Sequence, residues 1–277
     1  MPSQQPATSN QQPAFFFMRT IDQLGNEINL AEYPERIISL VPSQTELLHY
    51  LELDDKVVGI TRFCIHPEEW YRKKNRVGGT KNLHFDKIRE LNPDIIIGNK
   101  EENEEHQIKE LMKEFPVWMS DILTLENALE MILAIGELTG KQDKAVILSK
   151  QIQDGFDNLI PIKKSKSVAY LIWRNPYMAA GGGTFIDDML QRCGFINVFK
   201  NHGRYPKIYE NELIKNKPDF VFLSSEPYPF KEKHISEIFS ILPKSKIHLV
   251  DGELFSWYGS RLLHSPKYFE KLMKVVS

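Results

Sequence analysis

Residues 36–48 read RIISLVPSQTELL and place a strand, a turn and the start of a helix in one short stretch. The β-branched run at 37–41 predicts a buried strand that ends at Pro42. Ser43 is then the expected N-cap of a helix, and Glu46 three positions later completes the capping-box pattern. A strand followed directly by a helix is typical of α/β proteins.

The same alternation of strands and helices continues along the rest of the chain. Continuous apolar runs predict strands that are buried on both faces of a parallel sheet. Helical patterns separate these runs, so the sequence predicts mainly parallel sheets covered by helices. The further predicted strands are 57–60, 94–98, 117–119, 168–173, 219–223 and 247–250.

One long region, 125–160, shows apolar residues at helical spacing and no strand pattern. Its only interruption is Thr139-Gly140, and a single helix of about 20 residues there would span about 30 Å. The phrases NPDIIIG (92–98) and NKPDFVFL (216–223) occupy like places on either side of it. They indicate two related lobes. The alternative is that both phrases are ordinary turn residues between the helices and strands of an α/β protein. We expect two mainly parallel α/β lobes joined by a long helical spine.

The first residues are rich in Gln, Pro, Ser and Asn, a composition that does not bury enough apolar surface to offset the entropy of ordering. We therefore expect them to be disordered. The predicted N-terminal extension, N-lobe, helical spine and C-lobe are residues 1–17, 18–122, 123–164 and 165–277, respectively.

The 277 residues are 42% apolar and 26% charged, with a net charge of −2. This composition excludes a disordered or coiled-coil chain and gives no general attraction to nucleic acid or anionic lipid. No stretch approaches the roughly 20 apolar residues of a membrane-spanning helix, and no signal peptide pattern is visible. We expect no nucleic acid partner, no direct membrane anchor and a monomer. The two cysteines leave the redox compartment open.

The stretches RIISLVPSQTELL, VVGITRFCIHP and VGGTKNLHFDKIRELNPDIII precede a long helical region and a second lobe pattern. Together they resemble the substrate-binding proteins of the vitamin B12, siderophore and haem class, and most of all the vitamin B12 binding branch. The resemblance implies two lobes on a rigid helix, capture of one ligand between them and delivery to an ABC importer. It implies no enzymatic activity and no intrinsic cofactor; the ligand would be a cobalamin, a ferric siderophore or a haem.

The resemblance implies a periplasmic location, whereas a complete gene product without a signal peptide would be cytoplasmic. The alternative function is therefore a cytosolic protein or enzyme of the same fold that handles a corrinoid or metal chelate without a permease partner.

The loops at the carboxyl ends of the strands would line the cleft, because side chains converge where the backbone leaves a parallel sheet. In the N-lobe these loops carry the candidate ligand-binding residues Arg62, Phe63, Cys64, Thr80 and Asn99. The resemblance places Phe63 against the ligand, but Thr80 and Asn99 stand where B12-binding relatives carry Trp. These two exchanges argue against B12 itself as the ligand.

The C-lobe candidates combine aromatic and arginine side chains. Such a set suits a flat or large ligand with carboxylates or amides at its rim, and the alternative for each aromatic is packing within its lobe. These candidates are Trp173, Arg174, Tyr205, Trp257, Tyr258 and Arg261. Gly181-Gly182-Gly183 precedes a helix with Thr184 as its expected cap, and we interpret it as a turn rather than a phosphate site.

Metal ligation has only weak candidates, Cys64 and His66, because no HExxH, CxxC or repeated ligand spacing occurs. A turn at His66-Pro67 is the simpler explanation, and Cys193 is expected in the core.

Docking to a permease would use an acidic patch on each lobe. Asp86 takes the position implied by the resemblance in the N-lobe. Its counterpart in the C-lobe is Asn211, flanked by Glu210 and Glu212. For exposed acids the alternative is simple solvation.

Overall fold

The structure is a computed structural model of the chain and describes residues 18–276. The predicted N-terminal extension, 1–17, lies outside the described residues.

The N-lobe contains one parallel sheet and two small antiparallel pairs. Its strands are β1 (Met18–Ile21), β2 (Glu27–Leu30), β3 (Ile37–Ser39), β4 (Val57–Ile60), β5 (Asn75–Arg76), β6 (Gly78–Gly79), β7 (Asn82–Leu83), β8 (Ile95–Asn99) and β9 (Val117–Ser120). Its helices are α1 (Pro42–Tyr50), α2 (Glu68–Lys73), α3 (Phe85–Leu91) and α4 (Glu105–Leu111). The parallel sheet has the order β5-β4-β3-β8-β9, while β1 pairs with β2 and β6 with β7.

Alternate residues of the central strands enter two different apolar clusters. Ile37, Ile95 and Ile97 belong to one cluster, and Ile38 and Ile96 belong to another on the opposite face of the sheet. Because successive strand residues point to opposite faces, continuous isoleucine runs require apolar cover on both sides. The predicted parallel sheet buried on both faces is confirmed.

The first helix begins differently from the prediction. Its N-cap is Val41 rather than Ser43, no side chain caps it, and Pro42 takes a first-turn position. Proline suits that place because it lacks an N–H that the helix would leave unpaired and its φ is already helical. Ser43 is therefore within the helix, and Glu46 is free to bind elsewhere.

The helical region consists of two packed helices, α5 (Leu125–Leu138) and α6 (Gln142–Asp157), rather than one. Thr139 ends α5, and Gly140 reverses the chain with a φ of 68°. The helices approach so closely that a Cβ added to Gly136 would lie 2.2 Å from that of Ala145. The connection between the lobes is therefore a short helical hairpin rather than one long helix.

The C-lobe repeats the α/β pattern with some antiparallel pairing. Its strands are β10 (Lys166–Trp173), β11 (Tyr177–Ala179), β12 (Phe195–Asn197), β13 (Lys207–Ile208), β14 (Phe220–Ser224) and β15 (Lys246–Val250). Its helices are α7 (Phe185–Arg192), α8 (Glu210–Asn216), α9 (Glu232–Ile241), α10 (Gly252–Ser256), α11 (Ser265–Val276) and a 3-10 helix (Ser260–Leu263). Strand β10 is parallel to β12 and β14, and β14 is parallel to β15; β11 is antiparallel to β10 and to β13.

The two lobes repeat one structural phrase at a spacing of 125 residues. Helices α3 and α8 end at Asn92 and Lys217, both left-handed with φ values of 40° and 43°. A Pro-Asp pair follows each, and then the central strands β8 and β14. Asp94 accepts the backbone N–H groups of Glu35 and Arg36, as Asp219 accepts that of Ser167. The repeat predicted from the two phrases is confirmed in three dimensions.

One apolar cluster joins the lobes to the hairpin. It contains Ile37 of the N-lobe, Ile132 and Leu148 of the hairpin, and Tyr170 of the C-lobe. A shared core resists large rotation of one lobe against the other, because rotation would open voids in close-packed apolar contacts. Within residues 18–276, no helix is both long enough and apolar enough to cross a membrane.

Candidate functional site

The candidate site is the cleft where the carboxyl ends of the two parallel sheets meet. Polar contacts cross it from one lobe to the other: Glu46 on α1 forms an ion pair with Arg261, and the His66 ring after β4 lies 3.5 Å from the Glu253 carboxylate. Glu101, just after β8, pairs with Arg204 of the C-lobe. The lobes are therefore held face to face by charged side chains.

Arg261 is the centre of the largest of these contacts. Its Nε and Nη2 donate to the two carboxylate oxygens of Glu46 at 2.9 and 2.8 Å, and its Nη1 lies 2.6 Å from Glu253. The guanidinium also stands 4.7 Å from the ring centroid of Trp257. With only 18% of the side chain exposed, Arg261 joins the lobes, and its role as a ligand-binding residue stays a prediction.

Trp257 is likewise used within the protein. Its ring is buried, its Nε1 donates to Glu226 at 3.1 Å, and His66 meets it edge-on at 5.7 Å between centroids. Indole N–H groups need a partner when buried, and Glu226 supplies it. Trp257 therefore forms part of the wall between the lobes rather than an exposed stacking surface.

Glu226, which the sequence analysis did not single out, lies directly after β14. The pKa of its carboxyl is raised to about 7, chiefly by burial and also by the nearby carboxylates of Glu253 and Glu102, against hydrogen bonds from Ser256 and Trp257 that lower it. The signal in the sequence was the 125-residue repeat, which pairs Glu226 with Glu101.

Two predicted tyrosines share the region of Glu226. Burial raises the pKa of the Tyr205 phenol, and the carboxylates of Glu102 and Glu226 raise it further. The same two carboxylates and Tyr205 add to the effect of burial on the pKa of Tyr258. Glu102 is itself a carboxyl whose pKa is raised by burial. The structure thus brings Tyr205 and Tyr258 together with two acidic residues that were not predicted.

The remaining N-lobe candidates divide into a rim and a scaffold. Phe63 is 48% exposed and carries the Arg62 guanidinium 4.9 Å from its ring centroid. Thr80 and Asn99 are buried; Asn99 Oδ1 accepts the N–H of Glu101, and its amide donates to Ser120 at 2.9 Å. These bonds shape the loop and engage the Asn99 side chain within the protein.

Cys64, a predicted ligand-binding residue and weak metal candidate, lies in the N-lobe core. Its Sγ contacts the hydroxyls of Thr45 and Thr61 at 3.1 and 3.2 Å, and burial raises the pKa of the thiol. A buried, protonated thiol neither reaches the ligand nor binds metal readily. Throughout the described part of the chain, no three His, Cys, Asp or Glu residues are grouped to hold a metal ion.

Trp173 and Arg174 lie at the end of β10. Trp173 is 40% exposed and packs edge-on against Tyr228 at 5.7 Å between centroids. Arg174 binds both carboxylate oxygens of Glu237 at 2.9 and 3.0 Å. The charge of Arg174 is therefore neutralised within the C-lobe, whereas Trp173 keeps an exposed surface.

The triple-glycine loop packs against the neighbouring backbone. The N–H groups of Gly181 and Gly182 donate to Arg204 and His202, and a Cβ on Gly182 would lie 2.0 Å from the carbonyl oxygen of Lys200. Thr184 caps α7 as predicted. The loop lines a cavity of about 370 Å³ that includes Asp187 and lies within the C-lobe, outside the cleft. Its engaged N–H groups support the interpretation as a turn.

The model of a family described as periplasmic binding protein matches residues 37–238, most of the chain. The chain belongs to this family.

Among relatives of this periplasmic binding protein, the uncharacterized ABC transporter substrate-binding lipoprotein YvrC of Bacillus subtilis is 26% identical over 95% of this chain and 87% of its own length. Two solved structures share the two-lobed fold. The periplasmic vitamin B12 binding protein BtuF of Vibrio cholerae has a TM-score of 0.73 and 20% identity over 88% of this chain and 98% of its own. The periplasmic heme-binding protein RhuT of Roseiflexus sp. RS-1 has a TM-score of 0.75 and 20% identity, with 87% and 97% covered.

The three predicted docking acids of this periplasmic binding protein stand on repeat-equivalent helices. The Asp86 side chain on α3 is 94% exposed and pairs with Arg89 at 3.1 Å. On α8, Glu210 is exposed, while Glu212 accepts the backbone N–H of Tyr209 at 2.9 Å. Asp86 and Glu210 therefore present carboxylates outward, and Glu212 is engaged in its own helix.

Proposed function

We propose that this chain is the substrate-binding protein of an ABC importer and holds one metal chelate, a corrinoid, a ferric siderophore or a haem, in the cleft between its lobes. The observation that carries the proposal is the cleft itself. Exposed aromatic side chains lie at its rim and carboxyl side chains at its base, and both come from the facing carboxyl ends of the two sheets. Membership of the family and the fold shared with B12-binding and heme-binding proteins support it.

The rim offers a surface for a flat or large ligand. Phe63, with Arg62 over its ring, is exposed in the N-lobe, and Trp173 is exposed in the C-lobe. Exposed aromatic side chains cost free energy in water and regain it by covering an apolar ligand face. We therefore retain Arg62, Phe63, Trp173, Tyr205 and Tyr258 as the ligand-binding set.

Binding without chemistry fits the side chains of the cleft. The thiol of Cys64 is buried and its pKa is raised, so it is not an activated nucleophile. We infer that the protein captures and releases its ligand unchanged. The family is one of exported binding proteins, and we extend that location, outside the cytoplasm, to this chain.

The test is spectral titration of the purified protein with cyanocobalamin, hemin and a ferric hydroxamate. Phe63→Ala and Trp173→Ala should each lower the affinity for the ligand that binds by about tenfold, because each removes roughly 1–2 kcal/mol of aromatic contact. Tyr71→Ala is the control, since Tyr71 is a partly exposed aromatic on α2 that packs under Arg76. Failure of all three ligands to bind would refute the proposal.

We further propose that Asp86 and Glu210 dock the two lobes on a permease. A charge reversal, Asp86→Lys or Glu210→Lys, should weaken binding to the permease in nanodiscs by about tenfold and leave ligand affinity unchanged, because rim charges act on association rather than on the cleft. Glu270→Lys, on the exposed face of α11, is the matched control. Equal effects of all three reversals would show that the lobe tips do not form the docking surface.

A further inference from the structure

The 125-residue repeat places a glutamate at the same point of each lobe, but only one of them meets a cation. Glu101 pairs with Arg204 from the opposite lobe. Glu226 receives two neutral donors, Ser256 Oγ at 2.5 Å and Trp257 Nε1 at 3.1 Å, and both bind its Oε1. Within residues 18–276, no hydrogen-bond donor is placed on Glu226 Oε2. This oxygen of a half-buried carboxylate is therefore open to solvent or to a ligand.

A second polar group at the same place also lacks a partner. The side chain of Tyr258 is only 7% exposed, and its Oη is buried without a hydrogen bond of good geometry in the described chain, although the Ser43 hydroxyl is near enough to lower the pKa of the phenol. The groups that act on this phenol are Glu102, Tyr205 and Glu226. Buried polar atoms normally have partners, so a buried hydroxyl without one, close to the Glu226 carboxyl, points to a ligand.

The arginines of the cleft decide what kind of ligand this is. Arg261, Arg204 and Arg174 are each bound to carboxylates of the protein itself. These three are therefore neutralised within the protein, whereas Arg62, which lies over Phe63 at the rim, has no carboxylate partner within residues 18–276. A ligand with carboxylates near the floor would meet Glu226 and Glu102 in a poorly hydrated region, where like charges repel strongly.

We propose that Glu226, together with Glu102 and Tyr258, is a specificity-determining cluster that binds hydrogen-bond donors of the ligand, so the cleft selects a chelate rimmed by amide or ammonium groups over one rimmed by carboxylates. This inference rests on the proposed function and narrows its ligand class. Amide N–H and ammonium groups donate to a carboxylate in charge-assisted bonds, which are the stronger kind.

The test compares three probes on the full chain: cyanocobalamin, with amides at its rim; ferrioxamine B, with amides and an ammonium group; and hemin, with two carboxylates. The wild-type protein should bind at least one of the first two about tenfold more tightly than hemin, which is the effect of one charge-assisted hydrogen bond. Glu226→Gln should reduce that preference by about tenfold, mainly through weaker binding of the amide or ammonium probe.

Two further variants separate the cluster from general damage. Tyr258→Phe removes only the hydroxyl and should lower the affinity for the preferred probe several-fold. Circular dichroism should show that its fold is intact. The control variant Glu270→Gln replaces an exposed carboxylate on α11 of the C-lobe by an amide and should change no affinity. If the wild type binds none of the probes, the proposed function fails and this inference fails with it. If it binds hemin as tightly as the others, or if Glu226→Gln leaves the preference unchanged, the inference alone is overturned.

Discussion

Replacing Arg261 by Ala should destabilise the whole protein, because it removes the strongest polar link between the lobes. Two hydrogen bonds to Glu46 and one ion pair to Glu253 would be lost. Removing one partner of a fully buried pair costs about 3–5 kcal/mol, and an exposed pair costs about 0–1 kcal/mol. The side chains of Arg261, Glu46 and Glu253 are about a fifth exposed, so we expect a loss of roughly 2–3 kcal/mol.

The assay is urea unfolding at pH 7, with a double-mutant cycle of Arg261→Ala and Glu46→Gln. We expect the two changes to be non-additive by about 1–2 kcal/mol, since both break the same contact. The control is Arg89→Ala, which breaks the exposed pairs with Glu114 and Asp86 and should cost less than about 1 kcal/mol. A loss no larger than that of the control, or strict additivity in the cycle, would refute the reasoning.

Three further predictions concern the cleft, the hairpin and the repeat. Because the pKa of Glu226 is raised to about 7 from 4.5, wild-type stability falls between these pH values as pH rises, so Glu226→Gln should be the more stable protein at pH 8 in urea unfolding, with no gain below pH 4.5. Gly136→Ala should lower the free energy of unfolding, measured in urea, by about 1–3 kcal/mol through overpacking, whereas Gly155→Ala, whose Cβ meets only a proline side chain at 3.2 Å, should change it little. Asp94→Ala and Asp219→Ala should cost similar amounts, about 1–3 kcal/mol each by thermal melting, and unequal losses would contradict their equivalence.

The sequence carried the signals for the secondary structure and for the repeat. Isoleucine runs such as 95–97 specify a strand buried on both faces, whatever their partners are. The Pro-Asp phrases at 93–94 and 218–219 fix the entry to the central strand of each lobe through short-range turn geometry. A resemblance on these stretches was enough to indicate the family and its two-lobed fold.

The partners of individual side chains could not be predicted in the same way. Arg261 and Trp257 have the residue types of a ligand site, yet they bind Glu46 and Glu226, which lie far from them in sequence. Cys64 follows a cleft strand, yet its thiol turns into the core. Spacing places a residue near a strand end but leaves the direction of its side chain, and the charge it meets, undetermined.

By itself the sequence determined two α/β lobes, their order, their internal repeat and a helical connection, because local propensity and hydrophobic periodicity act over a few residues. The tertiary structure alone decided that the connection is a hairpin, that most cleft arginines are neutralised by the protein, and that Glu226 is left without a cation. Those features depend on which distant carboxylate reaches each guanidinium across the interface between lobes. Folding sets these distances. Because of them, the ligand that we propose carries amide or ammonium donors at its edge, whereas the sequence alone allowed carboxylates or amides there.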